Sequence, residues 1–260
     1  MAPIEICGLV LAAAAGGAVN AVAGGGTLIT FPTLLFFGTA PVVANATSTL
    51  ALAIGTSGSI YGYRQFLGPI RRWLWLFMPI SLLGGLVGAL LLTWTSNRTF
   101  AKLVPFLILF ATVLFLGQGL FRRLVGFEQA AIQTRGRAFV RGAMLFQLAV
   151  AIYGGYFGAG IGILMLASLG FLGLSHIHEM NTLKTILGSM INLVAALWFL
   201  WAGLIDWPRA AVMMFGSLAG YFLGAHYAQR IAQPRVRQLI TAIGFGLSAV
   251  TFYQQFLRPP

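Results

Sequence analysis

Residues 6–63 read ICGLVLAAAAGGAVNAVAGGGTLITFPTLLFFGTAPVVANATSTLALAIGTSGSIYGY, 58 positions without one Asp, Glu, Lys or Arg. A membrane-spanning helix needs about 20 apolar residues, so this run holds more than one element. It is punctuated at Ala23-Gly24-Gly25-Gly26-Thr27, at Phe31-Pro32 and at Gly38-Thr39-Ala40-Pro41. Glycine and proline clusters of this kind interrupt helices. The run predicts a first helix over 4–22, a break at the glycines, a half-helix over 27–38 and a second span over 42–64.

Further uncharged runs cover 73–97, 103–121, 142–175, 185–205, 210–229 and 238–257. The run from 142 repeats the first pattern. A helix over 138–157 meets Gly158-Ala159-Gly160-Ile161-Gly162, a half-helix follows over 162–173, and a new helix begins near Ser175. Each remaining run supplies one span. The predicted fold is an all-α integral membrane protein of about eight long helices, two of them followed by a broken half-helix.

Composition excludes the other classes. The 260-residue chain is 59% hydrophobic and 8% charged, with a mean hydropathy of +0.90. Soluble domains carry about 25% charged residues. A soluble enzyme is therefore excluded, and so is intrinsic disorder, which needs low hydrophobicity. The net charge of +12 sits in short clusters between apolar blocks, as in loops facing anionic headgroups, and nucleic acid is excluded as a partner. The single Cys7 forbids an internal disulfide or a cysteine-built metal site. The N-terminus lacks a basic n-region, so the first apolar block is expected to remain as a span.

The longest polar stretch, 122–141, holds Arg122, Arg123, Arg135, Arg137 and Arg141 with Glu128. The positive-inside rule puts it in the cytoplasm. It divides the chain into a first repeat over 1–121, a basic linker over 122–137 and a second repeat over 138–260. A shift of 136 residues lays one half on the other. Ala23, Gly24, Gly26 and Leu28 fall on Ala159, Gly160, Gly162 and Leu164, Asn45 and Thr49 on Asn181 and Thr185, and Ser81, Gly84 and Gly88 on Ser217, Gly220 and Gly224. An even number of crossings per half makes the copies parallel and an odd number makes them inverted. The basic clusters at Arg64, Arg71 and Arg72 and at Arg230, Arg235 and Arg237 favour inversion, whereas the count of eight spans favours parallel copies.

Duplicated Gly-interrupted helices are the pattern of secondary transporters, with the site where the breaks meet. A half-helix starting after a break aims unpaired N–H groups and a positive dipole end at that place, which suits an anion. The candidate substrate residues at the breaks are Gly24, Gly25, Gly26, Thr27, Gly160 and Gly162. The bland alternative for glycine is tight helix packing, assigned here to Gly84, Gly85 and Gly88. A polar stripe follows each break: Asn45, Ser48/Thr49, Leu52 and Thr56 in the first half, Asn181, Lys184/Thr185, Gly188 and Asn192 in the second. Of these, Asn45, Ser48, Asn181 and Lys184 are candidates for substrate contact, and Lys184 would supply a full positive charge. Inter-helix hydrogen bonding suffices for Asn192 or Thr56. His178 and Glu179 are candidates for proton coupling, although Glu179 also suits a helix N-terminus and His176 lies at the same interface. A competing class is an intramembrane serine hydrolase using Ser57 of Gly55-Thr56-Ser57-Gly58 with His226 as base. Four residues in a Gly-rich chain are a weak motif, and no metal cluster, phosphate loop or cofactor fingerprint accompanies them.

At Ala23-Gly24-Gly25-Gly26-Thr27 with Pro32, Ala44-Asn45-Ala46-Thr47-Ser48 and His178-Glu179-Met180-Asn181-Thr182-Leu183-Lys184, the chain resembles the TauE/SafE family of sulfite and organosulfonate exporter-like permeases. The resemblance covers the whole chain, and the second glycine cluster departs from it by dilution to Gly158-Ala159-Gly160-Ile161-Gly162. It implies transport of a small sulfur-containing anion across a bacterial-type inner membrane, without a cofactor. The expected partners are that anion and the lipid bilayer, with a homodimer also open.

Overall fold

The computed structural model describes residues 1–22, 24–62, 67–127, 137–171, 177–227 and 233–257. All secondary structure among them is helical: α1 (Pro3–Val22), α2 (Thr27–Phe36), α3 (Pro41–Gly62), α4 (Leu67–Trp94), α5 (Asn97–Phe127), α6 (Arg137–Tyr156), α7 (Ile161–Phe171), α8 (Ile177–Trp201), α9 (Trp207–Tyr227) and α10 (Gln233–Phe252), closed by a π-helical turn over Tyr253–Leu257. The two short helices, of 10 and 11 residues, follow the two glycine clusters. Among the described residues four helices are long and apolar enough to cross a membrane, over Pro3–Ala21, Ile70–Trp94, Asn97–Leu114 and Glu179–Trp201. Large apolar side chains such as Leu83, Leu145, Phe215 and Phe222 face outward, a surface that hydrocarbon and not water would cover.

The helix ends fall into two sets. At one end Arg209, opening α9, donates from Nε to Glu5 Oε1 (2.8 Å) near the start of α1, from Nη1 to Asp206 Oδ2 (2.6 Å), and from Nη2 to the Phe37 carbonyl (3.0 Å) just past α2. The Val42 amide donates to Asn97 Oδ1 (3.0 Å) and the Asp206 amide to Thr47 Oγ1 (3.1 Å). Trp198 Nε1 donates to Thr93 Oγ1 (2.9 Å). The starts of α1, α3, α5 and α9 and the ends of α2, α4 and α8 therefore share this face. The chain enters with α1 and returns to the same face with α2. Gly16 lies against Gly26 and Gly8 against the Phe37 ring, so the pair is an antiparallel hairpin.

Tertiary packing crosses between the halves. α9 lies parallel to α1, with Gly216, Gly220 and Gly224 on Val10, Ala14 and Ala18, and α4 lies parallel to α6, with Gly84 and Gly88 on Leu148 and Ile152. α3 also packs on α9 and α8 on α4, while α5 pairs with α10 and α3 with α8. A Cβ on Gly220 would collide with the Ala14 carbonyl, and one on Gly88 with the Ile152 carbonyl. Between helices that share lipid as solvent, close van der Waals approach through small residues replaces the hydrophobic drive. The packing role expected of Gly84, Gly85 and Gly88 is thus the observed one.

Gly88→Val and Gly220→Val should each lower the melting temperature in detergent, because overpacking costs about 1–3 kcal/mol or more where backbone is the obstacle. Gly246→Val, with nothing within 4 Å, should leave it nearly unchanged. Equal melting of all three would remove the α1–α9 and α4–α6 contacts as the basis of assembly.

Candidate functional site

Each break is held open by specific side chains. At the first, Asn20 of α1 accepts from the Gly26 amide (3.5 Å) and donates to Tyr221 Oη of α9. Thr30 donates to the Gly26 carbonyl (3.2 Å) and shares a 2.6 Å hydrogen bond with Ser48 of α3. At the second, Tyr153 Oη donates to the Ala159 carbonyl (2.8 Å), and Asn45 Nδ2 reaches across from α3 to the Tyr156 carbonyl (3.0 Å). Backbone groups freed by a helix break in an apolar interior are costly unless paired, and these four residues pair them.

The breaks meet. Gly24 (φ +79°) and its shift-related partner Gly160 (φ +77°) both adopt the left-handed conformation that suits glycine. A Cβ on Gly24 would lie 3.1 Å from Gly162 Cα and 3.4 Å from its amide nitrogen, so the two chains touch there through backbone. Gly158 (φ +81°) faces Thr27 and Asn192. Phe31 of α2, Phe100 of α5 and Phe157 beside the second break form an edge-on cluster, with centroids 5.4–6.3 Å apart, that ties the breaks together. Among the described residues the amides of Thr27, Ile161 and Gly162, in the first turns of α2 and α7, carry no hydrogen bond. Two positive helix ends thus open toward one place.

The predicted residues divide by environment. Gly24, Thr27 and Gly162 lie at the meeting point, whereas Gly160 faces Ala111 of α5. Gly26 answers to packing, since its Cβ would collide with the Gly16 carbonyl of α1, and Gly25 beside it is buried. Asn45 is fully buried, and its Oδ1 has no partner among the described residues. Ser48 is engaged by Thr30. Thr49 and Thr56 donate to carbonyls of their own helix, so the inter-helix bond expected of Thr56 is replaced by one within α3. Lys184 is buried at 6% exposure on α8. Gly188, one turn further, faces Ile161 and Met165 of α7. Asn181 is half-buried on the same stripe, and Glu179 stands in the first turn of α8. His176 and the side chains of His178, Ser57 and His226 lie outside the described residues. No group of three metal-ligating His, Cys, Asp or Glu occurs among the described residues.

Sequence reasoning missed Asn20, Thr30 and Tyr153, and named Gly158 only as a member of the second glycine cluster. Asn20 carried a signal, as a lone amide ending a stretch of Ala and Gly three residues before the cluster. Tyr153 and Thr30 carried none, because their partners are set by how the hairpins fold back.

The family described as "Sulfite exporter TauE/SafE" matches residues 9–251. A Haemophilus influenzae protein named "Probable membrane transporter protein" is 30% identical over 239 residues, 91% of this chain and 90% of the relative. The Escherichia coli K12 "Probable membrane transporter protein YfcA" is 25% identical over 254 residues, 97% of this chain and 91% of the relative. A Sinorhizobium protein, "Probable membrane transporter protein ORF9", is 28% identical over 248 residues, 92% and 89% of the two chains. No solved structure matches the chain at a significant level. An all-helical bundle with an apolar exterior, matched almost end to end by this family, belongs to the sulfite exporter TauE/SafE family of membrane transporters.

Proposed function

We propose that the protein is a secondary permease for a small anion, sulfite or an organosulfonate, bound between the two glycine breaks. The observation that carries this is the backbone contact of Gly24 with Gly162, which brings the open first-turn amides of α2 and α7 together. Backbone amides at helix N-termini bind anions without a formal cation. Lys184, buried on α8 one turn before Gly188, would add a full charge on the stripe that packs on α7. The substrate class follows the family's description.

The architecture we infer is two inverted repeats, α1–α5 and α6–α10. Because α1 and α2 return the chain to one face, each half crosses three times, an odd number. The packing supports this reading: α1 on α9 answers to α6 on α4, α3 on α9 to α8 on α4, and α5 and α10 pair with each other. Charge supports it too. Of sixteen Lys and Arg, eleven (Arg64, Arg71, Arg72, Arg122, Arg123, Arg135, Arg137, Arg141, Arg230, Arg235, Arg237) flank crossings at the linker face in this topology. Four (Arg98, Lys102, Arg209, Arg258) flank the other, and Lys184 is internal. The linker face is then cytoplasmic in a bacterial inner membrane, and both termini lie outside. Alternating access is a rocking of the hairpins α1–α2 and α6–α7 about their shared contact.

Two substitutions test this in proteoliposomes. Gly24→Val and Gly160→Val both force a side chain into a left-handed position, at a cost of about 1–3 kcal/mol, and Gly24→Val also drives the breaks apart. Each should abolish sulfite flux, and wild-type flux from both would take the breaks out of the site.

Lys184→Gln should weaken anion affinity about five-fold, the equivalent of about 1 kcal/mol, measured by calorimetry at two salt concentrations. Lys184→Arg should restore part of it, since the planar guanidinium needs a different donor geometry. Unchanged affinity would leave Lys184 a packing residue.

A further inference from the structure

Gly158 stands at the frayed end of α6, and its surroundings differ from those of the other glycines at the breaks. The three heavy atoms nearest to the place a Cβ would occupy are all oxygens: the Gly154 carbonyl at 3.1 Å, Asn192 Oδ1 at 3.8 Å and Thr27 Oγ1 at 4.0 Å. At Gly24 the neighbours are Gly162 Cα and N, and at Gly160 they are atoms of Ala111. The amide that would cap the Gly154 carbonyl in a continuous helix is that of Gly158, and it donates to Tyr153 instead (3.2 Å). Thr27 is more than nine-tenths buried, and its hydroxyl makes no hydrogen bond among the described residues. Three oxygens from three helices therefore gather at the negative end of the α6 dipole, with no hydrogen bond between them among the described residues.

We propose that this cradle binds one monovalent cation, sodium, beside the anion. Hard cations take oxygen ligands, and a cage of carbonyl, amide and hydroxyl oxygens without a carboxylate suits a single charge rather than a divalent ion. Carbonyls at an unwound helix C-terminus are the groups that hold coupling sodium in broken-helix transporters. Thr27 joins the two sites, its amide opening toward the anion and its hydroxyl toward the cation. The cradle is single. The 136-residue shift puts Ala18, Thr56 and Ile163 at the counterparts of Gly154, Asn192 and Thr27; Ile163 has no side-chain oxygen, and the Thr56 hydroxyl is engaged by carbonyls of its own helix. The stoichiometry is one sodium per chain. Coupling to flux rests on the anion reading above, whereas sodium binding does not.

The full-length protein in detergent, without sulfite, should melt at a higher temperature as NaCl replaces choline chloride at constant ionic strength, saturably, and KCl should not reproduce the rise. Asn192→Leu and Thr27→Val, close in shape, should raise the half-saturating sodium concentration at least about ten-fold, or about 1.4 kcal/mol. Thr27→Ser keeps the oxygen and should keep the response, and this pair decides the matter if Asn192→Leu does not fold. A wild type indifferent to sodium, or variants with unchanged half-saturation, overturns the cradle. Sulfite flux in proteoliposomes with and without sodium separates the two claims. Flux that ignores sodium, with no melting shift, removes the cation and leaves the anion transporter. A sodium shift without binding or flux of any sulfur anion leaves the cation and removes the anion reading.

Discussion

A helix that stops inside an apolar bundle leaves carbonyls and amides that no water can satisfy, and the rest of this molecule is arranged around that cost. Two chain breaks free such groups at Gly24–Gly26 and at Phe157–Gly160. Asn20 and Thr30 satisfy the first break, Tyr153 and Asn45 the second, each from an adjoining helix. What those side chains leave unpaired defines the chemistry available. Amides remain at the heads of α2 and α7, and acceptors remain at the tail of α6. A ligand is then the completion of the fold's own hydrogen bonding. In such a site a dry, preorganised dipole is worth more than the same dipole in water.

Much of this was legible in the sequence. The charge-free runs placed the long helices. The glycine clusters placed the breaks to within a residue or two, α2 beginning at the expected Thr27 and ending at Phe36, two residues short of position 38. Local sequence controls those features, since helix length, glycine and proline act within a few residues. The fold-back of α2 along α1 was not legible. In the proposed topology this fold-back sets the parity of crossings and so favours inverted over parallel copies. It depends on Gly8, Gly16 and Gly26 meeting across the hairpin, and periodicity records nothing of such meetings. Gly26 illustrates the limit: its position in the cluster suggested ligand access, and its neighbour is the Gly16 carbonyl.

The two halves differ in how their breaks are lined. Phe31 and Phe157 meet edge to face at 5.4 Å, but the 136-residue shift carries them to Ala167 and Ala21, neither of which has a ring. Tyr153 pins the second break by its ring hydroxyl, whereas Asn20 pins the first by its amide. Pairings between helices have been kept while the linings of the breaks have become different. In the proposed transporter, asymmetric linings of this kind give the two access states unequal energies.

The ion pair of Glu5 with Arg209 joins residues 204 apart in sequence. At about 5–20 residues per second of synthesis, α1 stands in the membrane for some tens of seconds before α9 exists to cover its glycine face. During that interval Ala14, Gly17, Ala18 and the Asn20 Nδ2 group look onto lipid or onto the insertion machinery. Assembly must therefore be post-insertional and strongly non-local. A chain cut after α5 would hold helices whose principal partners are on the missing half, so truncated products should be recognised as orphans by quality control rather than persist as half-transporters.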